Sequence, residues 1–293
     1  MIIKNTISSR VFDIFNFLLL TLLMLITLYP LLYVLFASFS ESSKLAMFSG
    51  LLWKPLGFST EAFTAVFKNK SIWSGYGNTL FLVVVGTSLN LIFTIAAAFV
   101  LSHKSFYFRK PITLLIIFTM FFNGGLIPTF LLVKDIGLYN SLWACILPGL
   151  ISTWNFLIMR TYFDGIPVSL EESAKIDGAN DIIILFRIVL PLCGPIIAVM
   201  VLFYGVGQWN QWFSAAIYLQ DSLKWPLQLV LRGILLANNT DSMMANIVDL
   251  DKQNISETIQ YATIVIATVP ILCVYPFLQK YFVKGVMIGA VKG

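Results

Sequence analysis

Six uncharged stretches govern what this chain can fold into. Ile14 to Ser40, Ser71 to Ser102, Pro111 to Val133, Ile136 to Met159, Ile188 to Gln220 and Thr258 to Gln279 contain no Asp, Glu, Lys, Arg or His, and each has at least 22 residues. A helix needs about 20 residues to cross a hydrocarbon core roughly 30 Å thick, so every run is long enough for one crossing. With 58% hydrophobic and only 11% charged residues, the chain lies far from soluble domains, in which about 25% are charged. The expected fold is an all-α integral membrane protein, one domain over residues 1–293, with six transmembrane helices at 14–39, 78–101, 111–133, 141–162, 188–212 and 261–279. The polar or aromatic edges Ser71 to Gly77 and Phe213 to Gln220 read as interfacial loops.

Lys4 and Arg10 precede the first run, yet its 27 residues are about twice a usual signal-peptide core and no small-x-small cleavage site follows, so it reads as a retained helix. Cys145, Cys193 and Cys273 fall inside apolar runs without pairing or metal-ligand spacing, and no metal site is expected. With the N-terminus inside, the cytoplasm holds Lys4, Arg10, Lys104, Arg109, Lys110, Arg160, Lys175, Arg187, Lys280, Lys284 and Lys292, eleven of the nineteen basic residues. That excess places both termini in the cytoplasm of a multi-pass cell membrane protein. The net charge of +5 is thereby accounted for without nucleic acid. His103, in the basic loop after the second helix, reads as a solvated residue.

Three segments lie outside the runs. Glu41 to Lys70, with Trp53, Pro55 and Phe58, suggests a segment resting on the membrane surface. Phe213 to Glu257 carries Asp221, Asn238, Asn239, Asp241, Asp249, Asp251 and Gln253, a polar surface on the outer side. The third, Asp164 to Arg187, can be read residue by residue. Ser169 and Glu172 have capping-box spacing, so a helix should begin there. Gly178 is placed to end it in a left-handed conformation after about two turns. Asn180 can cap the next helix, which runs into the membrane with Pro191 bending it. The expectation is a short amphipathic helix at 168–178, joined by an elbow to the fifth span.

The residues Glu172, Ser173, Ala174, x3, Gly178, x9, Ile188, x, Leu190, Pro191 resemble the EAA loop of ABC importer permeases, E-A-A-x3-G-x9-I-x-L-P. Ser173 stands where that family usually has Ala, a small-for-small change. NTLFLVVVGTSLN, GGLIPTFLLVKDIGLYNSLWACILPG, MRTYFDGIP and GQWNQWFSAAIYL extend the similarity from Asn78 to the C-terminus, toward carbohydrate permeases of the maltose type. Gly124 to Thr129 and Trp209 to Phe213 resemble permeases for complex or polysaccharide-derived oligosaccharides most. The resemblance implies the type I ABC importer permease fold and coupling roles for Glu172, Ala174 and Gly178, with Glu171, Ser173 and Asp177 beside them. It also implies partners: a second homologous permease, a dimer of ATP-binding subunits that carries ATP and Mg, and an extracytoplasmic solute-binding protein met by the Phe213 to Glu257 loop.

The chain's own residues agree with an engine elsewhere. There is no G-x-x-x-x-G-K-[ST] phosphate loop, and no catalytic residues or cofactor are expected in this chain. The alternative, an ion-coupled secondary sugar transporter, usually keeps ionisable groups at membrane depth, and the six runs have none. A membrane-embedded transferase would need converging carboxylates or a histidine base, whereas the acidic residues lie in the short helix and the outer loop. For a sugar path, Tyr204, Gln208 and Gln211 lie at i, i+4 and i+7 on one face of the fifth helix, with Trp209 and Trp212 beside them. Trp154, Asn155 and Asn123 complete the set. The same amides would equally serve as hydrogen-bonding groups between helices. Gly124, Gly125 and Pro128 are expected to break the third helix near its start.

Overall fold

The computed structural model describes residues 7–244, 257–274 and 276, and among these every regular element is helical. In order they are α1 (Ile7–Ser38), α2 (Ser42–Ala46), α3 (Glu61–Lys68), α4 (Lys70–Phe81), a π-helical turn (Leu82–Gly86), α5 (Thr87–Ser102), α6 (Arg109–Phe121), α7 (Leu126–Asp135) and α8 (Trp143–Ile146). There follow α9 (Thr153–Asp164), α10 (Val168–Ile176), α11 (Asp181–Ile184), a second π-helical turn (Leu185–Val189), α12 (Leu190–Leu192), α13 (Gly194–Trp209), α14 (Phe213–Tyr218) and α15 (Leu227–Met244). A last helix, α16, is Glu257–Val274. Asp249, Asp251, Gln253, Lys4, Lys280, Lys284 and Lys292 lie outside the described residues, as do the side chains of Asn238, Asn239 and Asp241.

The chain divides into two units. One runs to Asn69 and includes Gly233–Thr268. Its core is Ala37, Leu45 and Leu52, against which Tyr33 and Tyr261 pack, their rings edge to face at 5.9 Å. Most of α1 lies bare in the isolated chain, and its apolar window is 0% buried. In the other unit, Lys70–Arg232 with the residues from Val269, the largest core joins Phe99, Phe156, Met159, Phe163, Ala174, Ile184, Val189, Cys193, Met200 and Tyr204. The ends of α5, α9 and α10 to α13 therefore meet in one place. Phe156, Met159 and Met200 are wholly buried; truncating such a phenylalanine costs about 3–5 kcal/mol.

Among the described residues, three helices are long and apolar enough to span a membrane: Ser9–Ser38, Lys70–Ser102 and Glu257–Val274. The other three runs are broken, so six unbroken spans are not what forms. The third is α6 and α7, bent by 115°. The break falls midway rather than near the start, and Pro128 is not its cause. Phe122 is extended and Gly125 adopts φ +82°, with the Asn123 Oδ1 accepting from the Gly125 N–H at 3.0 Å. Pro128 sits in the first turn of α7, where no N–H is needed.

The fourth run breaks at a 3-10 turn, Leu147–Gly149, and restarts as α9 with Ser152 at its cap. The fifth bends by 86° between Asp181–Leu192 and Gly194–Trp209. The hinge is Cys193, two residues past Pro191, where Gly194 and Pro195 open a new helix. Upstream, Pro191 has no N–H for the ladder, and the turn before it relaxes to π geometry.

Two other expectations give way. Residues 71–77 are not a loop but the start of the Lys70–Ser102 helix. Phe213 to Glu257 is not one long polar loop: α14 and α15 occupy much of it, with Ala215, Tyr218, Leu219, Leu227, Leu229 and Val230 buried.

Candidate functional site

The short helix forms from the residues singled out for it, with one shift at its start. Pro167 occupies the cap position without a side-chain bond, and Val168 begins the helix, so Ser169 lies inside the first turn and the capping box does not form. The other end is built as the glycine requires. Gly178 takes φ +81°, the Ala179 N–H donates to the Ala174 carbonyl at 2.9 Å, and the Gly178 N–H donates to that of Lys175 at 3.1 Å. These two bonds are a Schellman cap. Asn180 then caps α11, its Oδ1 accepting from the Ile183 N–H at 2.8 Å, and Lys175 reaches Asp181 at 3.1 Å.

On α10 only Ala174 is buried, and Glu171, one turn earlier, is half-buried. Glu172, Ser173, Asp177 and Gly178 are exposed, as is Ile176 at 87%. The coupling residues expected from sequence thus divide by face. Ala174 and Glu171 hold the helix to the body, while Glu172, Ser173, Ile176 and Asp177 look outward.

Around this helix the charged ends of other elements converge. Arg109 donates to both Asp164 oxygens at 3.0 and 3.2 Å, and the Arg160 Nη2 stands 3.7 Å from the same carboxylate. Arg160 Nε donates to the Leu101 carbonyl at 3.0 Å, one of the acceptors left open at the end of α5. His103 is not solvated: its Nε2 meets Glu171 at 3.0 Å. Composition alone gave no signal for this cluster, because it depends on how three helix ends meet.

The second group lies between α5, α13 and the break before α9. Tyr204 OH accepts from the Ser152 N–H at 3.1 Å and lies 2.7 Å from Thr94 Oγ1. Asn90 Nδ2 donates to the carbonyls of Gly149 and Leu150, freed by the break, at 3.0 and 2.8 Å, and its Oδ1 accepts from Gln208 Nε2 at 3.2 Å. Gln211 Nε2 donates to the Cys145 carbonyl at 2.7 Å. Gly86 makes room for this seam, since a Cβ there would lie 2.9 Å from Gln208 Nε2.

Tyr204, Gln208 and Gln211 are therefore brought together, and Trp209 joins them, buried edge to face with Tyr76 at 6.4 Å. Asn155 is buried on α9, Trp154 is 59% exposed, and Asn123 serves the break between α6 and α7; neither Trp154 nor Asn123 has a bond to the seam among those described. Thr87, Asn90 and Thr94 were missed, although their spacing is one buried face of α5. Among the described residues, Gln208 Oε1, Gln211 Oε1 and Trp209 Nε1 are buried without a hydrogen-bond partner. No group of three or more His, Cys, Asp or Glu among those residues is placed to hold a metal.

Residues 90–288 match the family described as the binding-protein-dependent transport system inner membrane component. The chain belongs to this family. The permease is 45% identical to Protein LplC of Bacillus subtilis over 99% of its own length and 97% of that protein. It is 41% identical to the polygalacturonan/rhamnogalacturonan transport system permease protein YtcP of the same organism, over 97% and 99%. A solved bacterial ABC transporter, involved in the import of the acidic polysaccharide alginate, superposes with a TM-score of 0.86 at 33% identity, covering 96% of this permease and 99% of that chain. The fold is that of a type I ABC importer permease, a membrane transport subunit rather than an enzyme, with ATP hydrolysis on a separate subunit.

Proposed function

We propose that this permease is one of two membrane halves of an importer for acidic oligosaccharides, with α10 as the helix that an ATPase pushes. The observation that carries the coupling role is the build of α10: two turns, fixed by a Schellman cap at Gly178 and held inward by Ala174 and Glu171, that present Ile176 and the carboxylates of Glu172 and Asp177 outward. An apolar knob ringed by charge suits a cleft on a partner. In this reading α10 and both termini face the cytoplasm, ATP and Mg bind a dimer of ATP-binding subunits, a second permease completes the pore, and an extracytoplasmic solute-binding protein delivers cargo near α15.

Carbohydrate cargo is supported by the relatives' names, YtcP among them, and by the polar seam. Gln208 and Gln211 each keep a buried carbonyl oxygen without a partner, and Trp209 keeps an indole N–H, so two acceptors and a donor remain for a hydroxylated ligand or water. Tyr204 has its hydroxyl engaged by Ser152 and Thr94 and serves to hold the seam. Acidic cargo is favoured by Arg232, exposed, whose Cζ lies 3.8 Å from the Trp212 ring centroid. A guanidinium stacked on an indole pairs N–H donors for a carboxylate with an aromatic surface for a sugar ring.

The test is uptake of a labelled galacturonate oligomer into proteoliposomes carrying the whole importer. Accumulation should require internal ATP and the binding protein, and Arg232→Gln should raise the KM about tenfold with kcat retained, the scale of one charge-assisted hydrogen bond. Uptake without ATP would contradict import by this mechanism, and an unchanged KM would contradict the acidic cargo.

A further inference from the structure

α10 has little to hold it where it is. Val168, Leu170 and Ile176, its large apolar residues, are 55%, 41% and 87% exposed, and Ala174 alone is buried. An alanine offers only a small contact, so burial cannot fix the helix in both position and rotation. The remaining inward residue is Glu171, and its contact is the ring of His103.

His103 is itself held from three directions. It is the C-cap residue of α5, its ring stands edge to face on Phe99 at 4.5 Å, and its Nδ1 lies 2.7 Å from the Phe99 carbonyl. That carbonyl also accepts from Ser102 Oγ at 2.8 Å. The other ring nitrogen, Nε2, is 3.0 Å from Glu171 Oε2, and both side chains are about four-fifths covered. The ring is thus bracketed, with the Phe99 carbonyl against one nitrogen and the Glu171 carboxylate against the other. The neighbouring cations do not compete for Glu171 among the described contacts. Arg109 and Arg160 are held by Asp164, and Lys175 is paired with Asp181.

We propose that His103 is the positioning residue of α10: a peg, rooted in the last turn of α5, that fixes the rotation of the short helix through Glu171. The consequence for transport rests on the reading of α10 as the helix an ATPase moves. A push on Ile176 and Asp177 then reaches α5 through the Glu171–His103 contact, and α5 carries the polar seam at its other turns.

Hydrogen exchange of peptides covering 168–177, measured on the assembled importer in proteoliposomes, tests the peg directly. His103→Phe keeps a ring on Phe99 but removes both ring nitrogens and with them the polar contact to Glu171, and exchange should quicken about tenfold. Glu171→Leu should do the same while leaving the α5 cap intact, so it reads the contact even if His103→Phe fails to assemble. Glu171→Gln, which keeps an acceptor oxygen, should exchange more slowly than Glu171→Leu. In a double-mutant cycle, the His103→Phe, Glu171→Leu chain should exchange no faster than either single variant. Unchanged exchange in the single variants, or a double variant whose acceleration is the product of the two, would overturn the proposal. Transport per ATP in the same variants is a separate readout, expected to fall several-fold. Faster exchange with unchanged transport per ATP would strike the coupling role of α10 and leave the peg standing.

Discussion

Gly178 shows how much one residue can fix. At φ +81° with no atom within 4 Å of where a Cβ would sit, the position is open in space, and its demand is purely conformational. A β-branched side chain there strains the backbone by about 1–2 kcal/mol, enough to fray the Schellman cap and let the two-turn helix lengthen or unwind. Gly178→Val should therefore lower transport per ATP several-fold with normal membrane insertion, measured as uptake against phosphate release in proteoliposomes. Gly178→Asn, which tolerates the left-handed region better, should lose less. Gly178 and Asn180 were legible from sequence because turn and cap chemistry is local. His103 was not: its role comes from Glu171, far along the chain, and a lone histidine in a basic loop gives no periodic signal.

At the scale of elements, breaks matter as much as helices. The uncharged runs reported where apolar helix would form, but they could not report where it would stop. Asn123 to Gly125, Pro148 and Gly149, and Cys193 with Gly194 each interrupt a run that is uncharged throughout. Each interruption frees backbone groups, and in the fourth run Asn90 takes up the freed carbonyls of Gly149 and Leu150. Inside a bilayer such bonds contribute about 0.6 kcal/mol apiece, so the seam stabilises α5 against α13 only modestly and leaves the helices able to shift. The spacing of Tyr204, Gln208 and Gln211 marked this face from sequence, whereas the partners on α5 passed as ordinary small polar residues in an apolar run. Replacing Gln208 and Gln211 together with Leu removes both unpartnered oxygens. Uptake should fall at least about tenfold, on the scale of two lost hydrogen bonds, while copurification with the other subunits persists. Normal uptake would take these amides out of the cargo path.

For the molecule as a whole, the described chain leaves much of its apolar surface bare, from α1 to Phe121, Ile127 and Leu132. Lipid and a second permease are the environments that suit such a surface, and composition alone already excluded a soluble domain. What sequence left open was the direction in which the short helix faces its partner. For α10 to act as the helix an ATPase moves, Ile176 and Asp177 must meet that subunit while Ala174 faces the permease's own core. Site-directed crosslinking decides this most directly, in a permease whose Cys145, Cys193 and Cys273 are replaced by serine and which carries one new cysteine in the intact importer. Ile176→Cys and Asp177→Cys should each yield a covalent product with the nucleotide-hydrolysing subunit, and Ala174→Cys should yield none. Absence of any product from position 176 or 177, or a product from 174 alone, would contradict the account.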